Sequence, residues 1–381
     1  MHSEFIPQAP ESTRAKARFR AACEVLKDAV AARAFPGCAF GVLAGGEVVL
    51  QDAIGRFTYE DDAPAVTAET VYDVASLTKV AATTAMAMLL RQWGQIDLET
   101  RLGDLLPGFV AGREAGDPAY KVTLRHLLAH SSGLPGYAEL FRAASTPDSL
   151  LRACLELRLE TEPDTRAEYS DPGFILLGKA LEVLAGESLD KWVGREIFVP
   201  LEMTATGFRR IGSHAEHGGS EQIPPTEMDA KFRHRRIQGE VEDENAWVLG
   251  GVAGHAGLFS NVPDLLRLAR EILRAAGASG AGAAKARLWE HVTIERFAKR
   301  QPPEGSERAL GWDTPSKISS AGRHFSRHSI GHLGYSGCSL WIDLEAGLAV
   351  VLLTNRTWPD RKNQLIKAVR PAFHDAIREA L

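Results

Sequence analysis

Apolar residues change their spacing twice along the chain. From about Ser12 to Arg33 they recur with the period of a helix, and two strand-like apolar runs follow at 37–44 and 48–50. Gly45 and Gly46 separate these runs and predict a hairpin turn. A third short run, residues 70–74, leads into a long apolar segment. The N-terminal part is therefore predicted to contribute a helix and strands.

The middle of the chain has mostly helical spacing. The predicted helices are Ser76 to Trp93, Thr123 to Ala129, Asp148 to Leu157, Pro172 to Leu184, Ser188 to Phe198, Asp264 to Ala276 and Leu288 to Lys299. Between Phe208 and Ala246 the pattern is lost in Gly, Pro, His and charged residues, which predicts a long loop region. The Ala- and Gly-rich residues 275–285 are predicted to form a surface linker.

Strand-like runs return near the C-terminus, at 329–332, 339–342 and 348–353, before a closing helix at about 363–379. The predicted strands thus lie at both ends of the chain, with most of the predicted helices between them. We therefore predict an α/β (α+β) fold in which an antiparallel sheet is flanked by helices, with a mostly helical domain inserted.

Composition limits the classes of partner. The chain has 381 residues, 45% of them hydrophobic, which suffices for a large core in one or two domains. Its net charge of -5 predicts no general attraction to nucleic acid or to an anionic membrane. One basic run, residues 231–236, is interpreted as a solvated loop or helix face.

The N-terminal residues predict a cytoplasmic protein. Met1 to Pro7 lack the basic start and apolar stretch of a signal peptide, and no apolar run is long enough for a membrane span. The cysteines are scattered without close pairs, which favours reduced thiols. They are Cys23, Cys38, Cys154 and Cys338.

The first candidate for chemistry is Ser76, which stands three residues before Lys79. This spacing is weak by itself, since Ser188 and Lys191 share it and are interpreted as an ordinary helix cap. The helix after Ser76 differs because it has no charged residue between Lys79 and Arg91, as expected of a buried helix. A buried lysine on the face of Ser76 can activate its hydroxyl. A capping serine with a lysine that reaches solvent remains the alternative.

Two further segments are ambiguous alone. Tyr169 precedes a predicted helix that opens with Asp171 and Pro172, which is equally consistent with a loop tyrosine and a capping aspartate. Residues 331–337, Gly-His-Leu-Gly-Tyr-Ser-Gly, join two strand-like runs and read as a Gly-rich turn.

Together and in this order, the three segments resemble the boxes of the penicillin-recognising serine hydrolases. This superfamily contains class C β-lactamases, low-molecular-weight penicillin-binding proteins and β-lactamase-like esterases. The boxes are S-x-x-K, Y-x-N and K-T-G or H-x-G. They are matched here by Ser76 with Lys79, Tyr169 with Asp171, and His332 with Gly334. Residues 123–135 and 251–260 also look like stretches of that group.

The resemblance implies the β-lactamase/DD-peptidase fold. Residues 1–75 and about 240–381 would form an α/β sandwich domain, residues of about 76–239 a mostly helical domain, and the active site would lie between them. It also implies a serine hydrolase that cleaves an ester or amide bond, as an esterase or a D-aminopeptidase- or carboxypeptidase-like enzyme. The alternatives are a class C-type β-lactamase or D-Ala-D-Ala carboxypeptidase, and a non-catalytic scaffold of the same fold.

The resemblance also implies roles for single residues. Ser76 would be the acylated nucleophile, Lys79 its proton acceptor and Tyr169 the base that passes the proton to the leaving group. The backbone amides of Ser76 and Tyr335 would form the oxyanion hole. His332 would stand where the third box usually has lysine.

Two departures from the family pattern affect substrate choice. Asp171 replaces the usual asparagine and is expected to favour a protonated Lys79, shifting the base role toward Tyr169. The segment after the last strand places Asp360 and Asn363 where class C enzymes bind a substrate carboxylate. With His332 in place of lysine as well, we expect poor β-lactamase activity.

Other site types have weaker support. The chain has no G-x-S-x-G nucleophile elbow. His126 and His130 are spaced like a metal pair but have no accompanying third ligand, so neither a metal nor a cofactor is predicted. His255 either lines the active site or makes a structural hydrogen bond. The expected partner is a small ester, amide or peptide, with no nucleic acid and no membrane span.

Overall fold

A five-stranded antiparallel sheet forms the centre of the molecule in this computed structural model, which describes residues 17–212, 219–278 and 285–381. The strands are β1 (Gly37–Ala44), β2 (Glu47–Gly55), β3 (Tyr72–Asp73), β4 (Gly207–Phe208), β5 (Glu227–Asp229), β6 (Arg235–Ile237), β7 (Leu258–Ser260), β8 (Ser329–Leu333), β9 (Ser339–Asp343) and β10 (Leu348–Thr354). The order in the large sheet is β2-β1-β10-β9-β8. N-terminal and C-terminal strands are thus neighbours, as predicted.

Eleven α-helices lie in the described part of the chain. They are α1 (Arg20–Ala31), α2 (Ala85–Gln92), α3 (Leu102–Leu105), α4 (Leu124–Leu128), α5 (Pro147–Leu155), α6 (Asp171–Ala185), α7 (Leu189–Val193), α8 (Glu244–Val248), α9 (Val262–Ala275), α10 (His291–Ala298) and α11 (Ile366–Ala380). None of them is long and apolar enough to cross a membrane.

Helices cover both faces of the large sheet because successive strand residues point to opposite sides. On one side of β1, the ring of Phe40 packs edge-on against Phe373 of α11 at 5.7 Å. On the other side, a Cβ added at Gly41 would lie only 2.6 Å from the Val262 side chain, so α9 packs directly on the backbone. The result is the predicted antiparallel sheet flanked by helices.

The uncharged segment after Ser76 is buried, as predicted. It begins as a π-helical turn, Lys79–Thr84, and continues as α2. Every side chain from Lys79 to Leu90 is buried. Its apolar side chains belong to one cluster that also contains residues of α4, α6 and the large sheet, so one apolar core joins the helical region to the sheet.

The predicted loop region between Phe208 and Ala246 was wrong in part. A hairpin of β5 and β6 and the start of α8 lie within it. Within the basic run, Arg233 is not solvated, because its guanidinium is buried in an ion pair with Asp229 at 2.9 Å. Residues 213–218 of this region lie outside the described residues.

The predicted helix cap at Ser188 is wrong in part. Ser188 does precede α7, but its side chain makes no capping hydrogen bond. Its hydroxyl instead accepts a hydrogen bond from Arg210. Residues 279–284 of the predicted linker and the start of the predicted first helix, 12–16, lie outside the described residues.

Candidate active site

Ser76 follows β3 in a tight turn and lines a cavity of about 760 Å³. Ala75 has a φ of +47°, in the left-handed region that residues with a Cβ rarely adopt. The Asp73 carboxylate stabilises this turn by accepting a hydrogen bond of 2.8 Å from the Ala75 amide. The turn places the Ser76 hydroxyl at the start of the buried helix.

Lys79 lies below Ser76 and is fully buried. Its amine donates to Ser76 Oγ at 3.0 Å, to Asp171 Oδ1 at 2.7 Å and to the carbonyl oxygen of His255 at 3.0 Å. Three acceptors match the three protons of an ammonium group. The alternative of a lysine that reaches solvent is therefore wrong.

Two opposing effects act on Lys79. Burial lowers its pKa, because the charged form loses its hydration, and this effect is the largest. The carboxylate of Asp171 raises the pKa and offsets part of the shift. Lys79 is thus a paired lysine that gives up its proton more readily than one in water.

Tyr169 approaches Ser76 from the other side. Its hydroxyl donates to Ser76 Oγ at 2.7 Å. Burial raises the pKa of this phenol well above its ordinary value, and the charge of Asp171 raises it further. Asp171 therefore opposes the expected shift of the base role, since it makes Tyr169 harder to ionise.

His332 faces the cavity from the end of β8. Burial, followed by the charge of Lys79, lowers its pKa to about 3, so the ring is neutral at neutral pH. Its Nδ1 donates to the carbonyl oxygen of Leu333 at 2.8 Å, which leaves Nε2 as an unprotonated acceptor. That nitrogen is buried and has no hydrogen-bond partner within the described ranges.

The turn after β8 brings the Tyr335 backbone amide to the cavity that Ser76 lines. A Cβ at Gly334 would lie 2.5 Å from the carbonyl oxygen of Val74, so only glycine allows this strand end to approach the Ser76 turn. The amides of Ser76 and Tyr335 donate to no acceptor in the described part of the chain. They remain available to a ligand.

His255 contributes its backbone rather than its ring. The carbonyl oxygen accepts from Lys79, whereas Nε2 of the imidazole lies 2.9 Å from Asp243 Oδ1. The side chain is buried outside the cavity lining. The residue thus makes the structural hydrogen bond that sequence analysis weighed as one of its two roles.

The cavity contains charged residues that sequence analysis missed. Arg308 is mostly buried, with its guanidinium carbon 5.4 Å from the centre of the Tyr169 ring and an ion pair to Asp313. Glu242 and Arg361 also line the cavity. None belongs to one of the three boxes, so the resemblance assigns none of them a catalytic role.

The segment after β10 does not place Asp360 and Asn363 at the cavity, where the resemblance to class C enzymes predicts them. Asp360 accepts a hydrogen bond from the Lys362 amide, and Asn363 donates to the carbonyl oxygen of Arg33. Neither lines the cavity, whereas Arg356 and Arg361 of the same segment do.

His126 and His130 each use Nδ1 in a local hydrogen bond. Nδ1 of His126 is bonded to Thr123, and Nδ1 of His130 accepts from the Ser170 amide. One group of three carboxylates has ligand atoms within 4.8 Å of one another. They belong to Glu227, Asp229 and Glu244. Arg361 and Arg233 bind these carboxylates, so ion pairing accounts for their proximity.

Known proteins resemble this chain over most of its length. A protein of Salmonella typhi named "Putative D-alanyl-D-alanine carboxypeptidase" is 28% identical over 358 residues, covering 84% of this chain and 79% of the relative. Two solved structures share the fold. "EstCE1, a hydrolase with promiscuous acyltransferase activity" has a TM-score of 0.73 at 20% identity and covers 95% of this chain and 100% of its own.

The second structure is the LovD6 mutant of simvastatin synthase from Aspergillus terreus, with a TM-score of 0.72 at 18% identity and 99% of both chains covered. These similarities agree with the antiparallel sheet and the helices that flank it. Residues 24–371 match the model of the Beta-lactamase family, and the chain accordingly belongs to that family, as a β-lactamase-related hydrolase.

Proposed function

We propose that the protein is a serine hydrolase that cleaves an ester or amide bond through an acyl-enzyme on Ser76. The observation that carries this proposal is the pair of hydrogen bonds at Ser76 Oγ, from Lys79 at 3.0 Å and from Tyr169 at 2.7 Å. A capping serine has no need of two buried partners, and a non-catalytic scaffold has no reason to keep all three residues in contact.

Lys79 is the proposed general base. In its neutral form it takes the proton of Ser76 as Oγ bonds to the substrate carbonyl carbon, and the resulting ammonium is held by Asp171 and the His255 carbonyl. Tyr169 keeps its proton at neutral pH, since burial and Asp171 both raise its pKa. We therefore assign the base role to Lys79 and leave the shuttle role to Tyr169.

The remaining steps use the backbone and Tyr169. The amides of Ser76 and Tyr335 stabilise the negative charge that develops on the carbonyl oxygen. Tyr169 then passes a proton from Lys79 to the leaving group as the scissile bond breaks. Water attacks the acyl-enzyme by the reverse proton path, which releases the acid and restores Ser76.

The proposed substrates are small esters or amides rather than penicillins. Nε2 of His332 presents a lone pair at the position of the usual lysine, and a lone pair repels a substrate carboxylate. A second candidate is release of a terminal D-alanine, as in the name of the Salmonella relative. Arg308 favours it, because most of its guanidinium donors have no acceptor in the described residues and the side chain lines the cavity.

Intact-mass analysis tests the proposal directly. The protein would be exposed separately to a p-nitrophenyl ester, a penicillin and a fluorophosphonate. We expect an adduct with the ester and the fluorophosphonate that is absent in Ser76→Ala. Release of D-alanine from a D-Ala-D-Ala peptide would favour the second candidate.

The lysine is tested by Lys79→Ala, with Lys191→Ala of the second S-x-x-K spacing as the matched control. We expect a loss of turnover of at least about 100-fold in the first and none in the second. An unmodified protein with all three reagents would refute the enzyme proposal, and full activity in Lys79→Ala would remove the lysine from its role.

A further inference from the structure

Glu242 is a charged side chain of the cavity lining that has a buried, unpaired oxygen atom among the described residues. It is 3% exposed. Its backbone amide donates to Asp73 Oδ2 at 2.7 Å, and its Oε2 accepts from the Thr357 hydroxyl at 3.3 Å. Its Oε1 is buried and has no hydrogen-bond partner among the residues described. A buried carboxyl oxygen without a donor is costly, so the position is suited to a ligand that donates.

The cations near Glu242 are already committed. Arg361 is ion-paired with both Glu227 and Glu244. The guanidinium of Arg356 donates only to backbone carbonyls in the described structure. These arginines therefore hold the surrounding loops together and do not bind Oε1 of Glu242.

Burial and two carboxylates outweigh the two guanidinium groups that act on the Glu242 carboxyl, those of Arg361 and Arg356. The charges of Glu227 and Asp73 add to burial in raising the pKa of Glu242 to about 8. An incoming positive charge would reduce this repulsion and supply the missing donor at once. A neutral hydroxyl or amide would supply only the donor, so an ammonium group is the better complement.

Glu242 lines the same cavity as Ser76 and is linked to the Ser76 turn. Through Asp73 it is joined to the Ser76 turn, and the guanidinium of Arg361 lies 5.9 Å from the Tyr335 ring. Tyr169, the proposed donor to the leaving group, is in contact with Arg308, and neither shares a hydrogen bond or ion pair with Glu242 among the described residues. Glu242 is therefore assigned to the acyl part of the substrate.

We propose that Glu242 forms a subsite for a protonated primary amine on the acyl part of the substrate. This inference rests on the proposed function, and it narrows the substrates to esters or amides of amino acids whose amino group is free. Glu242 binds the ammonium group through Oε1 while Asp73 and Thr357 hold its backbone and Oε2 in place.

The test compares pairs of substrates that differ only at the amine. Ethyl esters of glycine and of D- and L-alanine are compared with their N-acetyl forms by kcat/KM. In the unmodified protein we expect the free amine to be preferred by about 10- to 100-fold, the range of a hydrogen bond between charged groups. Equal rates for both forms would overturn the inference and leave the proposed hydrolase standing.

Glu242→Gln keeps the size of the side chain and removes its charge. We expect the preference for the free amine to fall by about 10-fold or more. The matched control is Glu139→Gln, a half-exposed cavity carboxylate already paired with Arg142, for which the preference should not change. An unchanged preference in Glu242→Gln would contradict the proposal.

If Glu242→Gln fails to fold, a measurement on the unmodified protein tests the amine subsite instead. Propylammonium and its neutral counterpart propanol would be tested as competitive inhibitors of ester hydrolysis. We expect the ammonium ion to bind at least about 10-fold more tightly. Equal inhibition constants would count against an amine subsite, whereas absence of hydrolysis of any ester would instead refute the proposed function.

Discussion

At the scale of single residues, Ser76 Oγ lies between two side chains whose pKa values burial shifts in opposite directions. Burial favours the neutral form of each, so it lowers the pKa of Lys79 and raises that of Tyr169. A neutral amine can accept a proton and a neutral phenol can donate one. The same physical effect thus suits one side chain to be the proposed base and the other to be the proposed acid, on either side of the proposed nucleophile.

Asp171→Asn should move the pH dependence of activity toward acid. Asp171 raises the pKa of Lys79, so its removal lowers that pKa further, and the neutral amine forms at lower pH. We expect the acid limb of the kcat/KM profile to shift down by about 1–3 pH units. The control is Asp190→Asn, which removes a carboxylate of α7 that is paired with Arg210. This variant should leave the pH profile unchanged. A shift toward higher pH would show that Lys79 is not the group titrating.

His332→Lys should improve acylation by penicillin. The variant replaces the lone pair of Nε2 with an ammonium that can bind a carboxylate. We expect the second-order rate of acylation to rise by about 10- to 100-fold, measured by intact mass over time. A folded variant with an unchanged rate would show that His332 does not determine carboxylate recognition.

At the scale of elements, a pair of glycines sets the distance between α6 and the segment that binds Lys79. A Cβ at Gly254 would lie 2.2 Å from the Phe174 carbonyl oxygen and 2.9 Å from Gly178 Cα. The Gly254 carbonyl in turn accepts from the Thr83 hydroxyl at 2.6 Å, and the next residue, His255, binds Lys79. Close packing of two backbones therefore supports the position of Lys79, the proposed base.

Gly254→Ala should reduce both stability and activity. The added methyl group overpacks the contact with α6, which costs about 1–3 kcal/mol of unfolding free energy, and it displaces the His255 carbonyl from Lys79. Urea unfolding and ester turnover measure the two effects. Gly194→Ala is the control, since its Cβ would meet no atom within 4 Å. Equal behaviour of the two variants would refute the packing argument.

The elements that the sequence predicted well are those whose apolar pattern extends over many residues. The strand at Gly37–Ala44 and the buried helix after Ser76 carry their pattern over many residues. Strands β5 and β6 have three residues each, too short to show a period, and are held by distant contacts such as Glu227 with Arg361. Arg308 and Glu242 were missed for the same reason, because only tertiary structure brings them to Ser76.

At the scale of the whole molecule, the apolar core does not divide as the predicted domains do. One cluster joins Ala39 and Leu353 of the large sheet to Leu124 and Leu181 of the helical region. The boundaries near residues 76 and 239 stay a prediction. The continuous core indicates that the two parts unfold together.

The molecule should lose stability in acid through its buried histidines. Burial lowers the pKa of His332 to about 3 and that of His374 to about 4, and lowers those of His126 and His130. A lowered basic pKa means that the unfolded chain binds more protons, so stability is complete above about pH 6.5 and falls as pH decreases toward 3. Urea unfolding between pH 7 and pH 4 measures the loss.

His374→Gln isolates one of these groups away from Ser76. Its ring is bonded to the Ser320 carbonyl at 2.7 Å, and a shift from 6.5 to about 4 is worth at most about 3 kcal/mol. We expect the variant to have a flatter dependence of unfolding free energy on pH. A slope equal to that of the unmodified protein would assign the acid sensitivity to other groups.

The edge of the large sheet limits how a substrate chain can pass through the site. β8 is an edge strand, and both the amide and the carbonyl of Gly331 are bonded to Asp313. The strand edge is therefore closed on one side of His332, and a long peptide cannot run along it through the site. We expect an exo-acting enzyme, which removes or transfers a group at the end of a chain and leaves internal bonds of a polymer intact.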